Sequence, residues 1–100
     1  MLNFSLVLPA DFATYEWEVT AKGWFSEARM IVAGKHYRLN FYDAVRVRQE
    51  IESDLERGGL FFEPNLVIVQ SVTRSDMERA AELLVQSGQV ASLLPEQPST

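Results

Sequence analysis

The sequence predicts an α+β two-layer sandwich, a mixed and mostly antiparallel sheet of about five strands with two helices on one face, in the order β-β-β-β-α-β-α. Three observations carry this reading. Apolar and polar residues alternate through residues 2–8, 15–22 and 36–42. At Asp43 the apolar period lengthens from two to nearly four. An unbroken aliphatic run at residues 66–69 then stands between two helical patterns.

In the first strand Leu2, Phe4, Leu6 and Leu8 share one face, and Pro9 ends it. In the second, Tyr15, Trp17, Val19 and Ala21 point inward and Glu16, Glu18, Thr20 and Lys22 outward. Gly23 opens a connection that contains Trp24 and Phe25, and residues 28–33 form the third strand. Gly34-Lys35 reads as a tight turn, because glycine accepts positive φ. The fourth strand sends Tyr37, Leu39 and Phe41 inward and His36, Arg38, Asn40 and Tyr42 outward.

The first helix is capped by Asp43, stopped by Gly58-Gly59 and striped by Ala44, Val47, Ile51 and Leu55. Leu66 to Val72 reads as a strand buried on both faces, hence interior to the sheet. The second helix starts at a Thr73–Asp76 box, with Ser75–Glu78 competing, and Val72 and Met77 stand at staple spacing. Gly88 stops it, and residues 89–94 form a short strand or an apolar strap. Residues 1–94 therefore make one domain, and the proline-containing residues 95–100 make a disordered tail.

Composition excludes several classes of function. The net charge is -5, and the basic residues are scattered, which argues against nucleic acid and anionic membrane as partners. There is no cysteine, so disulfides, thiolate metal sites and cysteine nucleophiles are excluded. His36 is the one histidine, so a multi-histidine zinc site within the chain is excluded too. No motif for a cofactor, no calcium loop and no serine-nucleophile elbow occurs. The first residues carry no basic charge and no long apolar run, so a cytoplasmic protein is expected.

Three groups of residues are candidates for a site. The polar sheet face would carry Glu16, Glu18, Arg29, His36, Arg38, Asn40 and Tyr42, where a histidine beside carboxylates suits acid–base work and cross-strand ion pairs are the plainer account. Arg46 and Arg48 at the start of the first helix oppose its dipole, and with Arg38 they would suit an acidic ligand. The i,i+4 partners Glu50 and Glu52 explain the same arginines structurally. Trp24, Phe25, Phe61 and Phe62 fall in connections, where they either close the core or form an interface.

The expectation is a small bacterial-type, non-enzymatic protein-interaction or regulatory domain, acting as a homodimer or with a protein partner. A small acidic-ligand-binding domain is the alternative, using Arg38, Arg46 and Arg48 or the polar sheet face. An enzyme built on His36 with Glu16, Glu18 or Tyr42 is the second. Convergence of the arginines favours the ligand site, and exposure of Trp24 and Phe25 favours the interface.

Overall fold

A computed structural model describes residues 3–96. Its elements are β1 (Phe4–Val7), α1 (Phe12–Lys22), β2 (Trp24–Val32), β3 (Lys35–Asp43), α2 (Ala44–Gly58), β4 (Leu66–Val69) and α3 (Arg74–Gln86), followed by a short 3₁₀ turn at Gln89–Ser92. The α+β class is as expected, with four strands and three α-helices among the described residues. The strand order is β1-β2-β3-β4, antiparallel at the first two pairings and parallel between β3 and β4.

The second expected strand is a helix. Residues 12–22 wind so that Phe12 and Val19, seven apart, bury together, with Tyr15 half-buried between them. Trp17 therefore points to solvent and is 70% exposed, where the alternating reading had placed it in the core. Glu16, Glu18 and Lys22 imitate a period of two only because they are interleaved with apolar residues. A left-handed Gly23 ends the helix, and its N–H donates to the Val19 carbonyl.

Trp24 and Phe25 belong to β2 and not to a connection. Phe25 is buried opposite Phe41. Between Phe25 and Ala28 the register slips, so Ser26 and Glu27 bulge. The β2–β3 turn is Ala33-Gly34, one residue earlier than expected, with φ of 50° and 79°. Positive φ at both central residues matches the right-handed twist of a tight hairpin.

The core lies on one face of the sheet. Phe25, Ala28, Met30 and Val32 of β2 join Tyr37, Leu39 and Phe41 of β3 beneath Phe12 and Val19 of α1 and Met77, Ala81 and Val85 of α3. Phe12 meets Phe25 edge to face at 5.1 Å. Val72 and Met77 are fully buried at the entry to α3, whose Thr73 cap accepts from the Asp76 N–H.

The expected pair of helices on one face is corrected in two ways. α1 and α3 cover the core face. α2 sits across the opposite face, where its one buried residue, Val47, lies outside the main core with Tyr42. The strand at residues 66–72 is shorter than read and lies at the sheet edge, not inside it. Val67 and Val69 pack against the core, while Ile68 on the other face is 54% exposed.

After the 3₁₀ turn, Leu93 packs on the core and the chain runs beside β3 as a strap. The Leu94 N–H donates to Asn65, and the Glu96 N–H to the His36 carbonyl at 2.7 Å. Leu2 and the tail from 97 to 100 lie outside the described residues.

Two substitutions test this geometry. A Cβ at Gly23 would stand 2.5 Å from the Asp43 carboxylate, at a φ of 74°. Gly23→Ala should therefore cost about 1–3 kcal/mol, read as a lower midpoint in urea. Ala33→Asn should stabilise by a few tenths to about 1 kcal/mol, since asparagine tolerates the left-handed region better. An unchanged midpoint for Gly23→Ala would mean that the α1–β2 junction is looser than described.

Candidate functional site

The junction of β2, β3 and α2 brings together three of the sequence-derived candidates, Trp24, Tyr42 and Arg46. Trp24 and Tyr42 are directly opposed in the β2–β3 register and turn away from the core, their rings 6.4 Å apart. The Arg46 guanidinium lies over the Trp24 ring at 5.9 Å. The same arginine pairs with Glu50 at 2.7 Å. The Tyr42 hydroxyl donates to Glu63 at 2.7 Å.

Tyr42 is 4% exposed, although its alternation directs it outward. Burial, then the adjacent Glu63 carboxylate, pushes its phenol well above the ordinary range. It holds its proton at any physiological pH and serves as a hydrogen-bond donor. Asp43 accepts the Arg46 N–H at 2.8 Å and caps α2, as its sequence position implied.

The three candidate arginines do not share a partner. Arg46 turns to Glu50 and Trp24, Arg48 to Glu52 at 3.0 Å, and Arg38 donates to the Ser26 carbonyl in the bulge at 3.1 Å. The i,i+4 partners account for the two helix arginines. Such exposed pairs contribute little each.

The open sheet face carries Arg29, His36, Arg38 and Asn40. Arg29 and Arg38 are direct cross-strand neighbours, an unfavourable like-charge pairing. The strap relieves it: Arg29 binds both carboxylate oxygens of Glu96. The hydrogen bond from Arg29 is the main cause of a Glu96 pKa held below the ordinary glutamate value of 4.5, and Arg38 and His36 add to it. Asn40 donates to the Pro64 carbonyl and so secures the entry to β4.

Glu16 and Glu18 are absent from this face because they lie on α1. Glu16 accepts the Arg74 N–H at 2.8 Å and thereby serves the start of α3. The grouping of His36 with Glu16, Glu18 and Tyr42 is thus taken apart. His36 has Glu96 as its carboxylate neighbour, Tyr42 is buried beside Glu63, and the other two stand across the sheet.

The aromatic set also divides. Phe25 is core, Trp24 is 36% exposed, Phe61 is half-buried and Phe62 is 76% exposed. Sequence reasoning missed the exposed Trp17 and the contribution of Glu96. A helical reading of residues 12–22 with Phe12 and Val19 inward would have placed Trp17 outside. No family model, curated protein or solved structure matches the chain. Among the described residues no helix is long and apolar enough to cross a membrane.

The strap gives a pH prediction. A carboxylate with a lowered pKa stabilises the fold fully above its ordinary value, and the contribution is lost as pH falls through the lowered one. The Glu96 amide should be protected from hydrogen exchange above pH 4.5 and lose that protection as pH falls through the lowered value. Glu96→Gln should remove this dependence, and a pH-independent Glu96 amide in the native protein would contradict the assignment.

Proposed function

We propose that this chain is a non-enzymatic interaction or regulatory domain of the cytoplasm, acting as a homodimer or with a protein partner. The observation that carries the reading is the apolar surface running out of α2 into the following connection. Leu55, Leu60 and Phe62 are 51%, 69% and 76% exposed, and Phe61 beside them is half-buried. Single exposed apolar residues are ordinary, but a succession of large ones in one connection is characteristic of partner surfaces.

Folding gives no reason for these side chains to be apolar. The connection from Gly59 to Asn65 is anchored by other means, the Tyr42–Glu63 and Asn40–Pro64 hydrogen bonds. Phe62 could be polar without loss of a core contact. Arg46, Arg48, Tyr42 and Glu16, by contrast, each have a partner within the chain, which favours this reading over an acidic-ligand site.

Phe62→Ser tests it. At 76% exposure the substitution should leave the melting midpoint within about 0.5 kcal/mol of the native protein. Binding of an identified partner, measured by titration, should weaken about tenfold or more. Unchanged binding with full stability would remove this surface from the function.

A further inference from the structure

The outer edge of β4 has a hydrogen-bonding pattern that another strand would complete. Among the described residues β4 pairs with β3 on one side and with no strand on the other. The register sets Leu66 opposite Asn40 and Ile68 opposite Tyr42, and the Asn40 N–H donates to the Asn65 carbonyl. In a parallel ladder each residue bonds to the two that flank its opposite number. Asn40 and Tyr42 thus take up the backbone of Asn65, Val67 and Val69. Leu66 and Ile68 keep both N–H and C=O turned outward.

Natural edges are usually protected by a charge, a proline or a bulge. β4 has none of these. From Pro64 to Thr73 no residue is charged, in a chain of net charge -5. Two copies meeting at most other surfaces would set acidic groups against each other, and along this strand they would not. Ile68 on this edge is apolar and 54% exposed. A groove of about 450 Å³ lies along the same edge, lined by Leu66, Val67, Ile68, Leu84 and Leu93 among others.

Resting on the interaction reading above, we propose that the β4 edge is a self-association surface: two copies pair antiparallel about Val67 and join their sheets into one of eight strands. The occupant is a second copy because the pattern complements itself. With the two-fold axis at Val67, Leu66 of each copy faces Ile68 of the other. Each such pair exchanges two N–H···O bonds, so four bonds form and all the outward groups of Leu66 and Ile68 are satisfied. An isologous contact of this kind closes at two copies and leaves no further β4 edge to recruit a third.

Light scattering and amide exchange on the native protein, with two variants, test the proposal. The native protein should show a mass near twice 11.4 kDa. On dilution, the Leu66 and Ile68 amides should lose protection while those of Val67 and Val69 stay slow, being held by β3. Ile68→Pro removes an outward N–H and leaves the β3 ladder intact, so association should weaken at least about tenfold. Ile68→Lys should do the same with less strain on the backbone. Trp17→Ala, on the opposite side of α1 from the core, should leave the dimer unchanged.

A dimer that survives both Ile68 variants, with Leu66 and Ile68 amides unprotected, would overturn the edge pairing and leave the interaction reading standing. A protein that remains monomeric at high concentration would overturn the pairing and the homodimeric form of that reading together, leaving its protein-partner form. Loss of function in Phe62→Ser with an intact β4 dimer would separate the two surfaces.

Discussion

Asp43 and Gly23 meet where α1 ends, β2 begins, β3 ends and α2 begins. The Asp43 N–H donates to the Gly23 carbonyl at 2.9 Å, and the Gly23 N–H donates to Val19 at the same distance. The Asp43 carboxylate accepts the first turn of α2 through Arg46. A side chain at residue 23 would occupy the place of that carboxylate. The direction in which α1 delivers the chain into the sheet, and the direction in which α2 leaves it, are therefore set by one contact. From it follow the opposed Trp24 and Tyr42, the arginine above them, and the separation of α2 from the other two helices.

The parts of the fold legible in sequence are those where local pattern and tertiary demand agree. Tyr37, Leu39 and Phe41 alternate into a core that needs them there. Asp43, Gly59, Thr73 and Gly88 mark helix limits because caps are decided by backbone groups a few residues away. Residues 12–22 mislead because Trp17 and Ala21 are apolar yet exposed. Their presence turns a helical stripe into an apparent alternation. The edge position of β4 was illegible for a different reason. An aliphatic run suits a strand wherever it stands and cannot say whether strands lie on both sides of it.

The candidate site was legible in composition and illegible in grouping. Arg46 with Glu50, Arg48 with Glu52 and Asp43 at its cap follow from helical spacing alone. Glu96 over Arg29 joins residues far apart in sequence, and no local rule connects them. Glu16 beneath Arg74 is equally remote, and it depends on a helix that alternation concealed. The polar groups resolve into pairs that secure one element to the next: α1 to α3, β3 to the connection before β4, and β2 to the strap. Among the large apolar side chains, Trp17, Leu60, Phe62 and Ile68 stay exposed.

The Ala33-Gly34 turn has a consequence for the order of assembly. It joins β2 to β3 across the shortest connection in the sheet, and their register can zip from Val32 and Lys35 outward. β4 reaches β3 only after the whole of α2 and its following connection have been placed. Closing a longer loop costs more entropy before any contact repays it. Loop length therefore favours closure of the hairpin before β4 is added.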